Sequence, residues 1–145
     1  MFSVVSFGQT IYSENFGTPT GSTTVANYIT GTAPATFQNS TPIVYTGTSG
    51  ATSVRISTPS STYTGYSGGG NVFLSKDSTT STGHFFQVDG INTSAYSAAD
   101  LQLSFGYLTT AITSQLIVEQ STNGGTTWTP ITFTNNANTS WNLVT

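Results

Sequence analysis

Leu101-Gln102-Leu103-Ser104-Phe105-Gly106-Tyr107 alternates large apolar residues with small or polar ones. An extended chain turns successive side chains to opposite faces, so this spacing predicts a β-strand with Leu101, Leu103, Phe105 and Tyr107 on one side. Downstream, residues 114–121 and 128–134 read as two more strands, flanking Thr122-Asn123-Gly124-Gly125. Asn-Gly tolerates the positive φ of a tight turn, so these two runs are expected to form a hairpin. Upstream, residues 10–16, 43–45, 52–57, 71–75 and 84–88 have strand character, with weaker candidates at 25–29 and 35–37. A long polar loop, residues 58–70, ends in Gly68-Gly69-Gly70. No window sustains a helical apolar repeat over three turns. Many short strands and Gly- and Thr-rich turns predict an all-β fold: a two-sheet antiparallel β-sandwich of jelly-roll type.

Composition supports this reading and removes several function classes. The chain holds 30 Thr and 20 Ser but only seven charged residues, so Ser, Thr, Asn and Gln must carry the polar surface. Thr suits strands because its branched Cβ packs well on a pleated surface. Nine Phe, seven Tyr and two Trp supply the core that a hydrophobic fraction of 35% would otherwise leave thin. Arg55 and Lys76 are the only basic residues in a chain of net charge −3, which excludes the cationic patch that nucleic acid or an anionic membrane surface requires. No stretch approaches the ~20 apolar residues of a membrane-spanning helix. Cysteine is absent, so neither a disulfide framework nor a thiolate metal site is available.

The 145 residues fit one domain. Residues 1–8 are apolar and small, and Ser6 and Gly8 sit where a signal peptidase takes small side chains before a cut at Gln9. They are read as the remnant of a signal peptide, which predicts an extracellular or cell-surface location. Residues 9–145 form the module. Residues 138–145 alternate as a strand and the sequence stops within that pattern, so the module is expected to be truncated before its last strands.

Catalytic signals are weak. His84 is the only histidine, and its nearest carboxylates in sequence are Asp77 and Asp89. There is no Ser-His-Asp order, no HExxH, and Gly68-Gly69-Gly70 precedes a strand rather than a helix. The chain is therefore expected not to be an enzyme. Tyr63 and Tyr66 in the polar loop are the best candidates for a sugar-stacking platform, with Asn71 nearby to hydrogen-bond hydroxyls. Glu14, on the first strand, is the candidate ligand of a structural Ca²⁺, an ion that prefers oxygen donors. Ser121-Thr122-Asn123-Gly124-Gly125-Thr126-Thr127-Trp128 resembles the Asp-box hairpin of sialidases. With one copy and one Arg in the chain, the motif supports the hairpin and not the enzyme.

Five segments taken together resemble a family: residues 11–16 (IYSENF), 69–73 (GGNVF), 86–93 (FQVDGINT), 101–106 (LQLSFG) and 118–125 (VEQSTNGG). They are similar to N-terminal jelly-roll modules, galactose-binding-like in fold, of secreted Bacteroidetes (flavobacterial) surface proteins. The resemblance implies downstream domains in the same chain, a C-terminal type IX secretion signal, and a final strand with paired aspartates beyond Thr145. It also implies surface attachment or binding of a polysaccharide or cell-surface glycan. A structural spacer without a ligand is the first alternative, followed by ice binding and hydrolysis.

Overall fold

The computed structural model describes residues 8–75, 83–109, 116–136 and 139–145. Residues 1–7, with most of the signal-peptide remnant, lie outside the described residues, as do Lys76 and Asp77. The fold is all-β, and every strand pairing among the described residues is antiparallel. β1 (Thr23–Thr24), β3 (Thr52–Arg55) and β4 (Asn71–Leu74) make one sheet, with β3 in the middle. β2 (Val44–Gly47) pairs with β5 (Phe86–Asp89), Tyr45 opposite Val88 and Gly47 opposite Phe86. β6 (Phe105–Tyr107) pairs with β9 (Asn142–Val144), and β7 (Glu119–Gln120) pairs with β8 (Thr129–Pro130) as the predicted hairpin. Among the described residues no helix is long and apolar enough to cross a membrane.

The core lies between the first two sheets. Val54 of β3 is 0% exposed and meets a cluster of Val25, Tyr28, Phe37 and Tyr45, with Phe16, Phe86 and Val88 packed against it. Phe37 is its hub: its ring stacks on Tyr45 at 3.8 Å, lies 6.1 Å from Phe86, and takes Tyr28 edge-on at 5.0 Å. Offset and edge-on arrangements are what the aromatic quadrupole favours, so one Phe can satisfy several rings at once. Alternation along β3 sets this up, since Thr52 and Val54 are buried while Ser53 and Arg55 face outward.

Three expectations are corrected. Residues 25–29, read as a weak strand, form one helical turn, α1 (Val25–Ile29). Thr24 caps it, its Oγ1 accepting from Asn27 N at 3.2 Å, and Val25 and Tyr28, three residues apart, bury the same side. Residues 10–16, read as a strand, join no sheet, although residues 11–16 alternate between exposed and half-buried, with Tyr12, Glu14 and Phe16 turned inward. Leu101 and Leu103 do not share a buried face with Tyr107: both are exposed, and the ladder begins only at Phe105. A short 3₁₀ turn, Ala98–Asp100, directs the chain just before them, so the alternation runs past the end of the paired segment.

Because Phe37 joins so many rings, Phe37→Ala should destabilise the fold by about 3–5 kcal/mol, read as a lower urea midpoint, whereas Ile117→Ala at an exposed site should change it by under about 0.5 kcal/mol.

Candidate functional site

The loop between β3 and β4 carries the two candidate tyrosines, and its shape is set by small polar side chains. Buried Ser60 lies 3.0 Å from Ser67 Oγ and accepts from Gly68 N at 3.0 Å, closing the loop on itself. Asn71, the first residue of β4, donates its Nδ2 to Ser57 O at 2.8 Å and Thr58 O at 3.3 Å, pinning the base. Gly70 N donates to Gly17 O at 2.9 Å, and Thr62 Oγ1 donates to Trp141 O at 3.3 Å. The loop thus ties the β1–β3–β4 sheet to the N-terminal segment and to the chain entering β9. Thr58 and Thr62 hold φ of +56° and +75°, which a β-branched residue adopts only when its surroundings enforce it.

Tyr63 and Tyr66 meet edge to face with centroids 6.2 Å apart. Their exposures differ in kind. Tyr63 leans onto β6, where its hydroxyl occupies the space a Cβ on Gly106 would need. Tyr66 is 52% exposed. One ring is a support and the other is presented to solvent. Asn71 is placed otherwise than expected, because its amide N–H groups face the loop carbonyls rather than a ligand beside the tyrosines. A shallow cleft of about 230 Å³ lies elsewhere, between Pro19 and Tyr28, and shares no residue with the tyrosine loop. Tyr66 therefore stands on an exposed surface outside that cleft.

Glu14 has a different surrounding from the one a Ca²⁺ site requires. Its Oε1 accepts from Phe16 N at 2.8 Å, and its Oε2 accepts from Tyr45 Oη at 2.8 Å, Gln38 N at 2.9 Å and Asn39 Nδ2 at 3.2 Å. A Ca²⁺ needs further oxygen ligands about the carboxylate, where this structure puts N–H and O–H donors. The residues at Glu14 therefore do not fit the ion, and among the described residues no group of three or more His, Cys, Asp or Glu could hold a metal. Burial raises the Tyr45 phenol well above its ordinary value, with the hydrogen bonds to Tyr12 and Glu14 adding to the rise. Burial raises Tyr12 and Tyr28 as well.

The remaining candidates serve local structure. His84 Nδ1 lies 2.6 Å from Ser75 O, which fixes Nδ1 as the protonated nitrogen. In the hairpin, Asn123 Oδ1 accepts from Thr127 N at 3.0 Å and Ser121 Oγ at 2.9 Å, and Trp128 Nε1 donates to Gly125 O at 3.1 Å. The Asp-box-like residues therefore build the turn.

Sequence reasoning missed Arg55 and Phe73. The guanidinium lies 3.6 Å above the centre of the Phe73 ring, on the outer face of β3 and β4. The two residues are diagonal across the ladder, because Arg55 is opposite Asn71 and Ser53 opposite Phe73. The outward positions of the two runs hold this signal, which becomes readable only once the register is known. No family model, no curated protein and no solved structure matches the chain.

The Glu14–Tyr45 contact predicts an alkaline transition. Below the ordinary phenol value near 10 both folded and unfolded chains keep the proton, so stability is at its full level. Above it the unfolded chain loses protons that the folded chain retains, and stability falls as pH rises towards the folded value, by up to about 1.4 kcal/mol per pH unit per tyrosine. Urea midpoints measured from pH 9 to 11.5 should drop, less steeply in Tyr45→Phe. Glu14→Gln should cost on the order of 2 kcal/mol at pH 7, because one acceptor becomes a donor facing donors.

Proposed function

We propose that this chain is a non-catalytic, extracellular β-sandwich module of jelly-roll type that binds carbohydrate within a larger secreted protein. The observation that carries the reading is the tyrosine pair. Tyr63 is braced against Gly106 and in turn flanks Tyr66, so an exposed aromatic face is held on a loop locked by Ser60 and Asn71. A pyranose ring presents C–H groups that pack on such a face, and a ring held in advance loses little rotamer freedom when it binds. The strained Thr58 and Thr62 support the same location, since strain concentrates where a loop must present a surface. An open platform suits a polymer chain better than a small molecule, because a small ligand needs a concave site to bury most of its surface. Secretion rests on the small residues Ser6 and Gly8, and the resemblance to Bacteroidetes surface modules accords with both readings.

The spacer reading has one observation of its own. Tyr63 and Thr62 fasten the loop to β6 and to the segment before β9, as a purely structural loop would. A glycan array separates the two. Saturable binding that Tyr66→Ala abolishes, and that Tyr63→Ala or Gly106→Ala weakens at least tenfold by displacing the brace, is the expected result. A blank array with a folded protein would establish the spacer.

A further inference from the structure

We infer that the glycan bound at the tyrosine platform is acidic, and that Arg55 recognises its carboxylate. This rests on the carbohydrate-binding reading. Arg55 is the last residue of β3 and Asn71 the first of β4, directly opposite, so both stand where the tyrosine loop leaves the sheet. The guanidinium is held in two ways: its Nε donates to Ser53 Oγ at 2.8 Å, and its plane rests 3.6 Å above the Phe73 ring. Neither contact uses the two terminal nitrogens. Among the described residues no carboxylate pairs with Arg55, although Glu14, Asp89, Asp100 and Glu119 are all described.

An unpaired arginine is ordinary when it is free in solvent. This one is immobilised, and it is the only Arg or Lys side chain among the described residues of a chain that carries just two. A guanidinium fixed through Nε and through its face keeps its Nη edge available, and that edge matches the two oxygens of a carboxylate. Ser53, Asn71 and the solvent-facing side of Phe73 give an uncharged surround, so among the described residues no carboxylate competes for the cation. A uronate polymer offers both partners that these residues select, a pyranose face for Tyr66 and a carboxylate for Arg55, which ends the strand that leads into the tyrosine loop. Free carboxylates and acidic peptides share the second feature and lack the first.

The test is isothermal titration of the full chain with polygalacturonate, with its carboxyl-reduced neutral counterpart, and with polyglutamate. Polygalacturonate should bind at least tenfold tighter than either of the others. Arg55→Gln should erase that preference while leaving the weaker neutral binding. Arg55→Lys should restore less than half of it on a logarithmic scale, because charge returns without the planar fork. Phe73→Leu, which keeps an apolar side chain on the sheet, should weaken uronate binding about threefold and serves as a second variant should Arg55→Gln fold poorly. Equal binding of the acidic and reduced polymers, lost in Tyr66→Ala, would overturn the role of Arg55 and leave the carbohydrate platform standing. Polyglutamate binding as tightly as polygalacturonate would overturn the uronate assignment in favour of charge alone. Failure of every polymer to bind would overturn both readings.

Discussion

The Glu14 carboxylate joins three segments that no ladder connects. It takes the backbone N–H of Phe16 and Gln38, the amide of Asn39 and the phenol of Tyr45, so residues 14–16, residues 38–39 and β2 all converge on one anion. Charge-assisted hydrogen bonds are roughly twice as strong as neutral ones, and several from one acceptor fix relative position as well as distance. The rings at or next to these donors then have little choice. Phe16 and Phe37 enter the core beside Glu14 and Gln38, and Tyr45 stacks on Phe37 while its hydroxyl holds Oε2. The left-handed φ of +61° at Phe16 is sustained by that same carboxylate, whose Oε1 holds the Phe16 N–H.

This is how a chain so poor in charge and so rich in Ser, Thr and Asn organises long irregular stretches. Such side chains compete with the backbone for its own hydrogen bonds, which shortens ladders and favours turns. Among the described residues the strands run to four residues at most, while side-chain bonds tie the connections between them. Asn39 holds Ser13 O, Thr36 holds Tyr28 O, Thr52 holds Phe85 O and Tyr107 holds Thr134 O. The sheets supply direction, and the side chains supply much of the cohesion between them.

What was legible in the sequence follows from the range of the forces involved. The hairpin at residues 119–130 was readable because the contacts among Ser121, Asn123 and Thr127 each span at most four residues. The alternation of residues 11–16 was readable as well, but pattern records which face is covered and not what covers it, so a segment held by side chains reads as a strand. A five-residue helix is too short to show a period, and only the Thr24 cap marks it. Leu101 and Leu103 misled because alternation continues beyond the paired residues. In the candidate site, the sequence placed Tyr63 and Tyr66 in one polar loop, and their edge-to-face contact depends on how that loop folds. The support from Gly106, the binding of Asn71 to the loop carbonyls and the stack of Arg55 on Phe73 depend on contacts between residues 13 to 43 positions apart, or on strand register, and leave no local mark.

An open platform also constrains how such a module would work. One exposed ring and one fixed guanidinium cover little of a polymer, so the free energy for a single segment is small against the rotational and translational freedom lost on binding. Weak contact becomes useful when many sites along one ligand meet many modules, because each later contact forms at the effective concentration set by the first. A polymer repeats the same ring and the same carboxylate along its length, which meets that condition without any change in the protein. The low charge of the rest of the surface then matters for selectivity. With few other cations to attract an anionic chain, the proposed attachment would depend on the placement of Arg55 rather than on general electrostatic attraction.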